Sequence, residues 1–444
     1  MSQRTLNKPL IPQRERVIDQ VLRSMDRYYE RGADCFLELS IPIVANKSLH
    51  LPLTGERIEL PEWAKDLAVE GALLVPVEAV STKAEGGSDW RQVDWWLACF
   101  LLIEGCHERL YEDQNGPIHS YSFRLAGWDS RFWERAWANR IFLFLRRWIA
   151  REKNFSEPDL FGALPKTGFL LTHDVDAVSK TLPIRLKQTA FCSFNLARSL
   201  LKGNGREAWS KTKGALRFLL GSEDWWKLDE TMKLEEKYRL KSVFHFYGGS
   251  LKRGPKTWLF DPSYQVGASR VRDFIARSKE KGFSAGLHPG FDSWNSQQAL
   301  AKAKSTVDEA TGTSVRYIRQ HWLRFSWADT WRLQSKAGLE IDSTLMYNDR
   351  PGFRNSAAIA WHPLESSEQS HRILALSSVL MDSHLYDYDL ERRNTLRERI
   401  QKWIDEVAAV HGYAAVLWHP HTLSRDYDWA EGFETLLQTL TKHE

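Results

Sequence analysis

The sequence predicts an α/β chain: a (β/α) barrel in the C-terminal two thirds, preceded by a smaller α+β domain. Three observations predict it. First, from Gly168 onward short apolar segments alternate with segments of helical period, the pattern of a parallel sheet wrapped by helices. Second, these strands end on acids, histidines or an arginine: Asp174 and Asp176, His288, Arg319, Asp342 and His419. In a β/α barrel the C-terminal strand ends converge on one face, so polar residues far apart in sequence are expected to meet. Third, 444 residues exceed one ordinary core, and Asn154 to Gly168, carrying Pro158 and Pro165, reads as a linker. The expected domains are therefore residues 1–160 and 166–444.

In the first domain, Val17 to Arg31 has helical periodicity, and Ala72 to Val80 reads as a strand pair interrupted by Pro76. Gln92 to Leu110 and Ser130 to Arg151 read as aromatic-rich helices. The second of these has a cap at Asp129-Ser130 and the favourable cations Arg146-Arg147 near its C-terminus. In the second domain, strands are expected at Gly168–Thr172, Ser242–Tyr247, Ser284–Leu287, Ser314–Ile318, Leu339–Ile341 and Ala414–Trp418. Helices are expected over Trp225–Tyr238, Ser269–Lys281, Gln297–Gly312, Ala328–Ala337 and Leu390–Val410.

Composition excludes several classes. A net charge of +4 is too weak to imply nucleic acid, and no nucleic-acid-binding motif is present. The four cysteines show no CxxC spacing, so they read as buried thiols of a reducing compartment. The N-terminus is polar, without a signal core, and Val93 to Ile103 falls short of the roughly 20 residues a membrane span takes. A cytoplasmic location is the expectation. Between about 180 and 224 lies a basic insertion; Lys180 to Arg217 holds nine Lys and Arg against one Glu, interleaved with aromatic and aliphatic residues. It reads either as a solvated helix or as a peripheral contact with an anionic membrane.

The strand-end residues carry the candidate chemistry. Asp174 and Asp176, two apart on an extended chain, point to one side and can share a site, where close carboxylates repel unless a cation or proton lies between them. His288 with Asp292, four residues on, suits a divalent metal; with Asp176 they supply three ligands and leave a position for water. Asp292 also reads as a turn residue ahead of Ser293-Trp294. Arg319 beside Asp174 would keep that acid ionised, and His419 can donate a proton to a leaving group. His245, inside a buried strand, reads as structural.

These residues fall in ordered motifs: Thr172-His173-Asp174-Val175-Asp176, Gly286-Leu287-His288-Pro289, Arg319-Gln320-His321-Trp322-Leu323-Arg324-Phe325, Pro351-Gly352-Phe353-Arg354 and Leu417-Trp418-His419. Over about residues 166–440 the chain resembles the polysaccharide deacetylase superfamily (NodB-type, carbohydrate esterase family 4). It is most similar to the bacterial branch with His-Asp-Val-Asp in the first motif.

The resemblance implies a distorted (β/α) barrel and hydrolysis of an N-acetyl group on a hexosamine-containing glycan, in surface polysaccharide, O-antigen or exopolysaccharide assembly. It implies Asp174 as general base, Asp176 and His288 as ligands of a divalent metal, with zinc expected, Arg319 orienting the base and His419 as general acid. Asp342 matches loosely the acid that tunes that histidine. The family's second motif has a histidine four residues after the first, where this chain has Asp292; either that carboxylate replaces it or His321 swings in. Trp322 and Trp418, with Trp327, flank the motifs as sugar platforms. Two other readings stay open. One is a glycan-binding relative without catalysis. The other is a glycosyltransferase using the Asp-x-Asp pair, against which the first domain shows no Rossmann glycine pattern.

Overall fold

The computed structural model describes residues 11–44, 48–81, 89–181, 184–185, 221, 223–252, 254–364, 373–388 and 394–443. Most of the basic insertion expected at 180–224 lies outside the described residues. Among the described residues no helix is long and apolar enough to cross a membrane.

The first 160 residues carry a two-stranded antiparallel sheet, β1 (Gly55–Glu59) against β2 (Ala72–Pro76). The strand pair expected within 72–80 is thus one strand. Pro76, which lacks the N–H a ladder needs, ends it, and a 3-10 turn over Val77–Ala79 follows. The helix expected over 92–110 is two, Trp95–Ile103 and Cys106–Asn115. Gly105 breaks it with φ 57°, and a Cβ there would lie 2.4 Å from the Trp327 ring. Only glycine meets both demands. The expected 130–151 helix opens as a 3-10 turn, Ser130–Trp133, before the helix proper at Trp137–Glu152.

From residue 168 the chain builds the predicted parallel sheet. Its strands are β3 (Gly168–Val175), β4 (Ser242–Tyr247), β5 (Ser284–His288), β6 (Tyr317–Ile318), β7 (Ile341–Asp342), β8 (Ala360–Trp361), β9 (Leu374–Leu376), β10 (Ser378–Met381) and β11 (Tyr413–Leu417). The order across the sheet is β10-β11-β3-β4-β5-β6-β7-β9-β8, parallel throughout except for β8 against β9. Only Ser377 separates β9, which pairs with β7, from β10, which pairs with β11. The curled sheet is therefore linked round through one kinked stretch, as a strongly distorted barrel requires. β4 is buried along its whole length, which is why it reads as apolar on both faces rather than alternating.

One hydrophobic core runs through both regions. Polar contacts also cross between them in buried positions. Arg140 holds Glu406 with two bonds of 2.9 and 2.8 Å, and the Tyr28 hydroxyl donates to the Val410 carbonyl at 2.6 Å. Helix Cys106–Asn115 sends Glu108 to Arg354 and Glu112 to the backbone at 327–328. The N-terminal region is thereby fastened to the loops that leave β6 and β7.

Candidate metal centre and acid–base pair

Side chains alternate along β3, and this alternation sorts the first motif. Thr172 and Asp174 face one side; Thr172 Oγ1 donates to the Val416 carbonyl and accepts from Arg319, at 2.8 Å each. His173 faces the other side and is fully buried between the Trp418 carbonyl (2.8 Å) and Glu235 (2.7 Å). It fixes the ends of β3 and β11 side by side.

Asp174 is buried, and three bases surround its Oδ1: His245 Nδ1 at 3.4 Å, Arg319 Nε at 3.6 Å and His288 Nδ1 at 3.9 Å. Burial works against its charge, but His288, Arg319 and His245 outweigh it and hold the carboxyl well below the usual range. Arg319 is itself fixed by Thr172 Oγ1 and by Ser343 Oγ, at 2.8 and 2.9 Å. His245 is held neutral, lowered to about 4 by burial.

Asp176 lies just past the end of β3, and three histidines present Nε2 to it. His288 is 3.1 Å from Oδ1, His321 is 3.7 Å from Oδ1, and His419 is 3.5 Å from Oδ2. The other ring nitrogen of each is engaged. His288 Nδ1 donates to the Arg319 carbonyl at 2.8 Å. Because a carbonyl only accepts, Nδ1 carries that proton and Nε2 is left to offer a lone pair. His321 Nδ1 meets the Asp261 carboxylate at 3.3 Å, and His419 Nδ1 meets Asp382 at 2.8 Å.

The Asp176, His288 and His321 ligand atoms all lie within 4.8 Å of one another. The donor set fits a divalent ion on a further observation. Asp176 Oδ1 and His288 Nε2 are buried yet have no hydrogen-bond partner, a state that costs energy unless something binds there. A carboxylate with two imidazoles, each oriented by a carbonyl or carboxylate behind it, is the ligand chemistry of a catalytic zinc-type site.

His419 stands apart from that trio with Asp382. The buried Asp382 also accepts from the His419 backbone N–H at 2.9 Å and from Thr422 Oγ1 at 3.2 Å. Burial opposes charge on His419, but Asp382 and Asp176 outweigh it and raise its pKa to about 10. This histidine therefore carries a proton to give.

Several expected residues are elsewhere. Asp292 does not reach the trio; its exposed carboxylate pairs with Arg324 at 3.0 Å. An i,i+4 pair shares a face only in a helix, and 289–296 is not helical, the next helix starting at Gln297 after its cap Ser296. Asp342 does not touch His419. It accepts from Trp331 Nε1 at 2.7 Å and Gln334 Nε2 at 3.3 Å, and burial raises it to about 6. The acid on His419 is Asp382. Trp418 is fully buried and Trp327 nearly so, which removes both as sugar platforms, while Trp322 is 40% exposed beside His321. Asp261 and Asp382 are the site residues that sequence reasoning passed over, and His245, which reads as structural from sequence, stands 3.4 Å from Asp174.

No family model matches the sequence, and no curated protein matches it. Among solved structures the chain is similar to a protein from Mycobacterium smegmatis assigned as a polysaccharide deacetylase, at 16% identity over 62% of this chain and 84% of that one, with a TM-score of 0.37. It is also similar to a CE4 family pseudoenzyme from Bacillus anthracis (12%, 65% and 67%, TM-score 0.30). A third likeness is the CE4 domain of a multidomain xylanase from the hindgut metagenome of Trinervitermes trinervoides (11%, 62% and 84%, TM-score 0.31).

Proposed function

We propose that the chain is a divalent-metal-dependent amide hydrolase that removes an N-acetyl or related acyl group from a hexosamine-containing glycan. One observation carries the reading: three ligand atoms of Asp176, His288 and His321 converge, two of them buried and unsatisfied, between a carboxylate held ionised and a histidine held protonated.

Amide hydrolysis needs a base to take a proton from water, a positive group facing the carbonyl oxygen, and an acid for the departing amine. Asp176, His288 and His321 would hold the metal, with zinc the best match to one oxygen and two nitrogens. A bound dication supplies polarisation of the acyl oxygen and a more acidic water. Asp174, kept ionised by Arg319 and turned by His245, takes the water's proton. His419 gives a proton to the amine, and Asp382 fixes its tautomer and compensates its charge. Trp322 offers an exposed ring beside the site on which a sugar face stacks.

The dyad of His419 and Asp382 favours catalysis over glycan binding alone, which needs no proton donor. A glycosyltransferase reading would put both acids on a metal, whereas Asp174 is engaged by Arg319 and His245. The proposed substrate is a precursor in surface polysaccharide assembly, met in the cytoplasm. Peripheral contact with anionic membrane through the basic insertion belongs to the same proposal. Lys180 takes no part in that contact, being buried against Asp426 at 2.6 Å. Failure of the chain to sediment with anionic liposomes would remove the membrane contact.

The test of the function is acetate release from N-acetylated hexosamine oligomers, with and without chelator. Chelation, Asp174→Asn and His419→Ala are each expected to lower turnover at least about 100-fold. Unchanged turnover in both variants would overturn the assignment.

A further inference from the structure

His321 is held in an unusual way. The two residues after it, Trp322 and Leu323, both have left-handed backbones, with φ of 57° and 50°. Neither is glycine, so the turn stores strain and persists only where its surroundings over-determine it. This turn aims the His321 ring at Asp176 and His288.

The barrel itself secures only part of that turn. Asp261 meets the ring at Nδ1, and the Trp322 indole reaches the Phe260 carbonyl at 3.4 Å. Before the turn, the Gln320 N–H donates to Thr344 Oγ1 at 3.0 Å, and the Leu323 side chain packs with Met346, Met381 and Leu417. Backbone carbonyls after His321 are held from the N-terminal region. Ser120 Oγ donates to the Trp322 carbonyl at 3.1 Å, and His119 Nδ1 meets the Phe325 carbonyl at 3.3 Å. His119 Nε2 faces Arg324 at 3.2 Å, and its ring packs edge-on against Trp294. Ser120, itself fully buried, accepts through its carbonyl from Asn348 N at 2.7 Å. Glu112 closes the far side by accepting from the N–H groups of Trp327 and Ala328.

We propose that Ser120 and His119 are positioning residues of the metal centre: the N-terminal region fixes the strained turn that delivers the third ligand, His321. The inference rests on the metal-centre reading above. It gives residues 1–160 a role beyond packing, since their hydrogen bonds help hold two left-handed residues, next to His321, whose strain would otherwise relax.

The full-length chain, stripped of metal and titrated with Co²⁺, tests this through the dissociation constant and the visible absorption of the bound ion. Ser120→Ala, acting one residue beyond the ligand, is expected to weaken binding up to about tenfold, the low end for loss of a direct outer partner, and to change the absorption spectrum. Ser120→Thr, which keeps the hydroxyl, restores both. In a His321→Ala background Ser120→Ala has no further effect, because its influence passes through His321. Should Ser120→Ala not fold, His119→Phe, which keeps the ring on Trp294 and drops the bond to Phe325, makes the same test. If His321→Ala weakens Co²⁺ binding while the Ser120 and His119 variants bind like wild type, the positioning role is wrong. If His321→Ala itself binds like wild type, the metal-centre reading fails and this inference with it.

Discussion

Two acid–base pairs in this molecule, one buried and one with its acid half-buried, differ in what they leave over. Glu108 and Arg354, where the N-terminal region meets the loop after β7, are complete. Both carboxylate oxygens meet guanidinium nitrogens, and Arg354 Nη1 goes on to the Met346 carbonyl. Asp176 and His288, at the ends of β3 and β5, lie 3.1 Å apart, yet Asp176 Oδ1 and His288 Nε2 make no hydrogen bond. The first pair is closed and serves the fold. The second is open toward a point on which a ligand atom of His321 also converges, and it is this convergence of unsatisfied atoms, rather than burial or charge alone, that singles it out as the candidate site.

The largest expected effect comes from breaking the open set. Asp176→Asn is expected to abolish metal binding and lower acetate release by about 10³-fold or more, several kcal/mol of transition-state stabilisation. Wild type should also gain about 2.7 kcal/mol against urea at a metal concentration one hundred times the dissociation constant, and the variant none.

Breaking the closed pair should do the reverse. Arg354→Met strands Glu108 and is expected to cost about 3–5 kcal/mol of stability by urea titration, while the folded fraction keeps its metal stoichiometry. If Arg354→Met instead removes metal and leaves stability intact, the distinction between the two pairs collapses.

Asp382→Asn separates proton donation from metal binding within the site. It removes the charge behind His419 and should lower turnover about 100-fold with metal affinity unchanged, since His419 is not among the converging ligands. Smallest is Trp322→Ala, which removes one exposed ring. A rise in KM of a few-fold, the worth of about 1 kcal/mol of ring contact, with kcat nearly constant, is the outcome expected. A change confined to kcat would mean that Trp322 acts on the neighbouring His321 rather than on the sugar.

How much of this was legible follows from the kind of signal each residue leaves. Asp174, Asp176, His288, Arg319 and His419 stand at or just past parallel strand ends, and apolar runs closing on a polar residue are visible in the chain. Asp382 obeys the same rule, following β10, but Leu374–Met381 does not read as strand from sequence, because Ser377 and Ser378 interrupt its apolar run. His245 is the register partner of Asp174 on β4, a cross-strand neighbour that only the pairing reveals. Asp261 follows a short helix, Pro255–Phe260, inside the crossover between β4 and β5, where spacing says nothing about direction. Asp292 misled for the opposite reason: its spacing from His288 is meaningful only in a helix, and the chain there turns.

The parallel order of the sheet was legible from alternation. The antiparallel β8 and the stitching of residues 108–123 onto the barrel loops were not, since both depend on tertiary pairing. The split of the 92–110 helix had a signal in Gly105, whose requirement became visible only with Trp327 against it.

On this proposal His321, not Asp292, completes the metal ligands, and metal content separates the two. Protein purified without chelator should hold one divalent ion per chain by elemental analysis. The ion should persist in Asp292→Ala, which loses only a pairing with Arg324, and be lost in His321→Ala. Retention in His321→Ala with loss in Asp292→Ala would contradict the account.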